Sequence, residues 1–420
     1  MIFALASYGT RGDVEPCAAI GRELQRRGHE VRMAVPPDLV GFVESSGLSA
    51  VAYGLDTREP MAAQQRFYST LLRSFWKIPD LVTMWREIDL LVEQCWRGAN
   101  STLVQLADGA DLLFTGLVFE QAAANVAEYY DIPLATLHYY PMRANGHLHP
   151  TLPAPLTRAA TTANEWLAWF RTKKIENRQR RQLGLPKATQ PSAERITARG
   201  SLEIQAYDEV CFPGLADEWS SLSRQRPFIG ALTMDLAADA DAEVADWISD
   251  GTPPIYFGFG SIPVDSPADT LAMIGGACEE LGERALVCAG WSEFNTSDDR
   301  DRVKIVKAVN FAKTFPSCRA LVHHGGAATT AIGLRSGVPA LVLWTNTDPV
   351  QSIWGAQVKR LKVGTSRSLA TTTRGSLVQD LRRILTADYA SRARRIASQM
   401  TTSAGSVESA ADLLEKSAVQ

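Results

Sequence analysis

Short apolar runs recur along the chain, and most end in a glycine- or proline-rich turn. Ile2–Ser7 is the first, closing in Tyr8-Gly9-Thr10-Arg11-Gly12-Asp13. A helical pattern follows through Pro16, Ala18, Ala19, Ile20 and Leu24, and it stops at Arg27-Gly28-His29. Glu30–Val35 then alternates as a second strand, broken by Pro36-Pro37. Strand, glycine loop, helix, strand is the opening of a parallel βαβ sheet. Asp111–Thr115 and Pro133–His138 read as further buried strands around a helix at Glu120–Tyr130, and another strand is expected near Leu202–Ala206. The pattern restarts in the second half. Strands are expected at Pro254–Phe259, Arg284–Ala289, Val303–Val306, Arg319–His323 and Pro339–Leu343, with helices at Ala268–Leu281, up to Arg335 and up to Leu361. Two tandem doubly wound α/β domains follow, with a ligand cleft between the carboxyl ends of their strands.

Two stretches differ. Residues 57–100 carry Phe67, Leu71, Phe75, Trp76, Leu81, Trp85, Ile88, Leu91 and Trp96 at mostly helical spacing, which predicts inserted helices packed on the core. The tryptophans beside Arg73, Lys77 and Arg86 leave a lipid-facing surface as the alternative. Residues 142–200 are basic and weakly periodic, and the run Arg178–Arg181 reads as a solvated helix face. Domain limits are expected at 1–226, a linker at 227–241, a second domain at 242–402 and a terminal helix at 403–420 that returns to the first domain.

Composition narrows the function. The 43 basic and 46 acidic side chains leave a net charge of −3, so a dedicated nucleic-acid binder is disfavoured. The six cysteines stand apart with no Cys-x-x-Cys, which argues against a disulfide framework or zinc cage and for a reducing cytoplasm. The N-terminus lacks a basic region before its apolar run, and no run approaches a membrane span. His147-Leu148-His149 has metal-like spacing without supporting ligands, and Asp239-Ala240-Asp241 lies in an Ala/Asp linker rather than after a strand. No metal is expected.

His323-His324-Gly325-Gly326-Ala327-Ala328-Thr329-Thr330 sits where a strand turns into a helix. Glycines allow a close backbone approach, and a helix N-terminus with flanking hydroxyls suits a phosphate. A capped structural turn is the alternative. Asp13, at the end of the first strand, has the position of a general base and equally that of a helix cap. Gly9-Thr10-Arg11-Gly12 lacks the glycine triple of a dinucleotide-binding oxidoreductase.

The segment HHGGAATT resembles the HHGGAGTT signature of family 1 glycosyltransferases with the two-domain GT-B fold. Gly9–Pro16 (GTRGDVEP), Pro253–Ser261 (PPIYFGFGS) and Gly290-Trp291 resemble, in order, the bacterial branch that includes antibiotic and sterol glycosyltransferases. The GTRGDVEPC opening, the VPP after the second strand and WGAQVKRLKVG at Trp354–Gly364 resemble the mycobacterial glycopeptidolipid glycosyltransferases. The resemblance implies an N-terminal acceptor domain, a C-terminal domain for a dTDP- or UDP-linked sugar, inversion at the anomeric carbon and no cofactor. It makes Asp13 the base, and puts Thr10, Arg11 and His138 near the acceptor, with a purely structural histidine as the alternative at 138. It assigns the diphosphate to Ser261, His324, Gly325, Gly326, Ala327, Ala328 and Thr329, and the base-stacking ring to Trp291.

The sugar-reading loop departs from the family's Asp-Gln-Pro. Aligned back from Trp354-Gly355, Val350 takes the aspartate slot and Gln351 the glutamine slot, while Asp348 supplies the carboxylate only with a two-residue insertion. A lost carboxylate suits a donor with fewer hydroxyls, such as rhamnose or 6-deoxytalose. The implied acceptor is a lipid-linked peptide or another natural product, and the implied location is cytoplasmic, with peripheral contact at the inner membrane face as an extension. A UDP-glucose-dependent sterol or antibiotic glucosyltransferase is the alternative. A catalytically silent nucleotide-sugar-binding protein is the alternative from another class.

Overall fold

The computed structural model describes residues 1–420 apart from 74–75, 77, 261–263, 265, 291, 293, 295–301, 346–347 and 420. Among the described residues, twelve strands form two separate six-stranded sheets. The first contains β1 (Ile2–Ala6), β2 (Glu30–Val35), β3 (Ala50–Ala52), β4 (Leu112–Thr115), β5 (Leu134–His138) and β6 (Leu202–Gln205). The second contains β7 (Ile255–Gly258), β8 (Ala285–Cys288), β9 (Val303–Val306), β10 (Ala320–His323), β11 (Ala340–Trp344) and β12 (Gly364–Ser368). Every pairing is parallel. The orders β3-β2-β1-β4-β5-β6 and β12-β11-β10-β7-β8-β9 are the same doubly wound plan used twice.

The central strands are continuous apolar runs because helices cover both faces. Phe3, Leu5, Leu113 and Phe114 in one sheet, and Phe257, Val287 and Leu341 in the other, have no appreciable exposure. The helix Ser403–Ala418 leaves the second domain and packs on the helix Arg11–Arg26 of the first. Ala410, Ala411 and Leu414 enter the first core, and Arg27 pairs with Asp412 at 2.6 Å and Glu415 at 2.8 Å.

Several details differ from the sequence-based expectations. Residues 227–229 belong to the first sheet's margin rather than to a free linker, since Gln205 donates its N–H to the Pro227 carbonyl and accepts from Ile229. Residues 154–182 form one long helix, Ala154–Gln182. Its basic run is not uniformly solvated. Arg178 faces water, but Arg180 is buried and bonded to Asn125 at 2.8 Å and Glu128 at 2.7 Å. In the inserted helices Trp96 is core, Trp85 carries Arg171 over its ring at 4.6 Å, and Trp76 is 64% exposed. Lys77 lies outside the described residues.

Beneath the end of β5 sits a buried ionic cluster. Arg143 makes a two-pronged bond to Glu120 at 2.6 and 2.9 Å and a further bond to Glu203. Glu203 also meets Arg226 at 3.3 Å and the Thr197 hydroxyl at 2.8 Å. The Arg143 guanidinium and the His138 hydrogen bond overcome desolvation and hold the Glu120 carboxyl far below the ordinary range. Removing one partner of such a cluster leaves an uncompensated charge. Arg143→Ala is therefore expected to destabilise the fold by about 3–5 kcal/mol. Arg178→Ala, at an exposed pair, should cost less than about 1 kcal/mol. Urea denaturation of both variants checks this, and equal midpoints would refute it.

Candidate active site in the cleft

The cleft is bounded by the carboxyl ends of both sheets. Asp13 is the third residue of the helix Arg11–Arg26, capped by Thr10. Its Oδ2 accepts the Thr10 N–H at 2.6 Å and the Thr10 hydroxyl at 3.1 Å, so the capping role is real. Its Oδ1 accepts the hydroxyl of Tyr139, the residue that follows β5. Gly9, at φ +133°, has no room for a Cβ, which would fall 2.3 Å from Asp13 Oδ2. The backbone is thus moulded around this carboxylate. Burial raises the Asp13 pKa, its three donors oppose that, and the Asp348 charge adds to the rise.

Asp348 comes from the opposite domain. It is the N-cap of the helix Pro349–Arg360, with Oδ1 accepting the Val350 N–H at 2.9 Å. Burial lifts its pKa too. Val350 packs on the second domain's core and offers no polar group. The carboxylate at this loop is therefore that of Asp348. Gln351 is 1% exposed, and its Oε1 accepts the Thr345 N–H at 2.8 Å and hydroxyl at 3.0 Å. That amide oxygen ties the loop together and does not point out to read a sugar.

Across from Asp13, β10 runs into the helix Ala327–Arg335, capped by Gly326. The first helical bond is Thr330 N–H to the Gly326 carbonyl, so the N–H groups of Ala327, Ala328 and Thr329 precede the helical ladder. Ala328 sits in this helical turn, and the strained backbone that would require the family's glycine is absent there. Gly325 has φ +92°, and a Cβ on it would lie 2.7 Å from Val342 Cγ1 and 2.8 Å from the Gln351 carbonyl. The His324 ring lies between Gly260 and Gly326, where an added Cβ would approach it to 2.5 and 2.6 Å. His324 Nδ1 has no hydrogen-bond partner among the described residues. His323 is fully buried and accepts the Gly325 N–H on Nδ1 at 3.1 Å. Burial pushes the His323 pKa down to about 3 and that of His324 down to about 4, so both are neutral at pH 7.

The remaining expected residues divide. Thr10 spends both its polar groups on Asp13. Arg11 is exposed, pairs with Glu15 at 3.0 Å and lies 4.8 Å from the Phe42 ring centre. Its charge is felt by Cys288 at the end of β8, so it stands between the two halves. His138 corrects the expectation of an acceptor contact. It has no exposed surface, and its Nε2 lies 2.9 Å from Glu120 Oε1 while Nδ1 lies 3.4 Å from Gln205. The side chain that reaches the cleft is its neighbour Tyr139, which sequence reasoning missed. The only available signal was an aromatic hydroxyl at a strand's carboxyl end. Ser261 and Trp291 lie outside the described residues. Among the described residues, no three His, Cys, Asp or Glu side chains are grouped to hold a metal.

Comparisons with known proteins now decide the family. Residues 3–100 match the glycosyltransferase family 28 N-terminal domain, and residues 292–416 match the erythromycin biosynthesis protein CIII-like C-terminal domain. The chain is 55% identical over 420 residues to an uncharacterised glycosyltransferase of Mycobacterium tuberculosis, covering 100% of this chain and 99% of that one. The chain belongs to the GT-B glycosyltransferases. At greater distance it is 28% identical over 382 residues to a sterol 3-beta-glucosyltransferase of Arabidopsis thaliana, covering 86% of this chain and 59% of the relative. The solved calicheamicin glycosyltransferase CalG4 shares the fold, with a TM-score of 0.72, 16% identity and coverage of 100% and 98% of the two chains. The glycosyltransferase VinC, solved with dTDP, gives a TM-score of 0.68 at 17% identity over the full length of both chains.

The turn between β10 and the helix Ala327–Arg335 yields two predictions. Gly325→Ala puts a methyl group where φ is left-handed and the Gln351 backbone is in contact. It should destabilise by about 2 kcal/mol or more and weaken nucleotide binding at least about tenfold. Thermal denaturation and calorimetry check both. The second concerns pH. Unfolded histidine takes up a proton near pH 6.5, whereas folded His323 does so only near 3. Its stabilisation is complete above about pH 7 and falls as pH drops, by about 2 kcal/mol between 6.5 and 5. His324, neutral down to about pH 4, adds a similar fall, so His323→Gln should reduce the slope by about half, and an unchanged slope in denaturation at pH 5–7 would refute the assignment.

Proposed function

We propose that this GT-B enzyme is an inverting, metal-independent glycosyltransferase. It moves a sugar from a dTDP- or UDP-linked donor to a hydroxyl of a lipid-linked peptide or other natural product. The observation that carries the reading is the placement of Asp13 at the end of β1, in electrostatic contact with Asp348 of the opposite domain. Asp13 takes the acceptor proton as the new C–O bond forms, from the face opposite the departing nucleotide. The unladdered N–H groups of Ala327, Ala328 and Thr329, with neutral His324 beside them, stabilise the negative charge that grows on the diphosphate. A preorganised helix end suits this role.

The sugar is proposed to be a 6-deoxyhexose, such as rhamnose or 6-deoxytalose. The support is the small polar complement of the sugar loop. One oxygen of Asp348 caps a helix, Val350 is apolar and the Gln351 carbonyl oxygen is spent on Thr345. A site with few buried partners leaves fewer groups unpaired when a hydroxyl is missing. The distant sterol glucosyltransferase favours a second reading, UDP-glucose transfer to a sterol. Competition between dTDP-rhamnose and UDP-glucose, with cholesterol and an apolar peptide alcohol as acceptors, separates the two. Preference for UDP-glucose and cholesterol would establish the second.

Asp13→Asn is expected to lower turnover about 10²–10⁴-fold. Calorimetric binding of dTDP or UDP to that variant should stay within about threefold of wild type with and without Mg²⁺, since Asp13 and the diphosphate loop lie on different domains. Full turnover in Asp13→Asn would remove Asp13 as the base. Absence of any nucleotide binding by the wild-type protein would remove the donor site.

A further inference from the structure

We propose that Tyr139 is the positioning residue for Asp13: it fixes the plane of the carboxylate and sets its basicity. The inference rests on the reading of Asp13 as the base and extends it to a residue on a different strand.

The geometry is direct. Two of the three donors to the Asp13 carboxylate, a backbone N–H and a hydroxyl, come from Thr10, three residues away in the chain, and both go to Oδ2. They close a local turn and leave the carboxylate free to pivot about the bonded oxygen. Tyr139 supplies the third donor, to Oδ1, from beyond β5. In the sheet order β5 is separated from β1 by β4, so this bond spans two strand spacings. The Ser7 hydroxyl holds the Asp13 backbone carbonyl at 2.9 Å, and the Tyr139 bond is the one that ties the carboxylate itself to a distant strand. The anchor is itself rigid. His138, the residue before Tyr139, is fully buried and bonded to Glu120, which Arg143 clamps against Glu203. Tyr140, the residue after, packs against the apolar cluster that both domains contribute to and feels the Asp348 charge. Consecutive tyrosines thus face the two cleft carboxylates, one from each domain.

A phenol that donates to a carboxylate stabilises its charged form, so loss of the donor makes Asp13 harder to ionise. Asp13 is also faced by Asp348 from the donor side, which favours the neutral carboxyl as burial does, while Cys17 on its own helix is a thiol pushed up to about 12 and carries no charge where Asp13 titrates. Tyr139 is the group from the acceptor domain's other strands that opposes Asp348 and burial. With the hydroxyl present, Asp13 stays a carboxylate to lower pH. The acceptor hydroxyl then meets a base whose open lone pairs point in one direction.

The test uses the full-length protein labelled with carboxyl-¹³C aspartate. The Asp13 signal is assigned by its loss in Asp13→Asn. Tyr139→Phe is expected to raise the Asp13 titration midpoint by about one pH unit, the scale of one hydrogen bond to a charged group. Replacing Tyr139 with 3-fluorotyrosine, a stronger donor of nearly the same shape, is expected to lower it. The fluorinated protein also keeps the test open if Tyr139→Phe fails to fold. The acid limb of kcat/KM for dTDP-rhamnose or UDP-glucose with cholesterol should move in the same two directions. An Asp13 midpoint unchanged by both substitutions overturns the proposal. If the midpoint moves while Asp13→Asn retains full turnover, Tyr139 still positions Asp13, and it is the base assignment that falls.

Discussion

Both sheets of this glycosyltransferase are wholly parallel, and the placement of its chemistry depends on that constraint. Parallel strands send every strand's carboxyl end, and the N-terminus of each following helix, to the same edge. Two such edges face each other here. One brings Asp13 and Tyr139 to the cleft, and the other brings His324, the start of the helix Ala327–Arg335, and Asp348. The facing arrangement is held away from the cleft. Arg335, at the far end of the helix that begins at Ala327, donates to the Ala231 carbonyl at 2.6 Å, Ser406 at 3.0 Å and Thr233 at 3.3 Å. A nine-residue helix spans about 13 Å. One rigid element therefore connects the cleft end of this helix to the interdomain segment and the returning terminal helix.

The electrostatic layout follows from where water is excluded. Asp13 and Asp348 lie close enough to raise the pKa of Asp13, and burial raises both. The like-charge cost is tolerable because each carboxylate caps a helix N-terminus, where the backbone dipole favours negative charge. The positive groups are kept out of the middle. Arg143 is fully engaged below β5, and Arg11 stands exposed at the rim. The neutral histidines beside the helix start mean that backbone N–H groups, rather than fixed cationic side chains, are what this wall offers to an anion.

The central strands were legible because burial on both faces makes them apolar runs. Of the four edge strands, β6 and β9 were legible too, but β3 and β12 were not. Ala50–Ala52 is three residues long, and Gly364–Ser368 reads GTSRS, with no apolar signature. The helix Ala154–Gln182 hid its period for a different reason. Its buried side includes Glu176, Gln179 and Arg180, satisfied by Asn125, Glu128 and Arg195 instead of by apolar contact. A stripe of hydrophobicity cannot report a face that is buried through ions. The same physics displaced His138. At a strand's end it reads as a cleft residue, but the Glu120 carboxylate draws it inward and turns Tyr139 toward Asp13. The cap that Asp13 makes with Thr10 was readable because it is local in sequence.

The sugar loop shows how a local rule produces a departure from the family pattern. Asp348 followed by Pro349 is a strong helix start, with a carboxylate cap and a ring that needs no hydrogen bond in the first position. Once the helix begins there, its later residues have no freedom. Val350 falls in the first turn against the core, and Gln351 turns inward to hold Thr345. Gly325 then has its tight approach to the Gln351 backbone, which couples the start of the helix Pro349–Arg360 to the turn after β10. The carboxylate at the cleft must come from the cap itself, with one oxygen already committed to the Val350 N–H. An early helix start thus exchanges a free side chain for a capped one, and it does so at the position where the two domains' carboxylates confront each other.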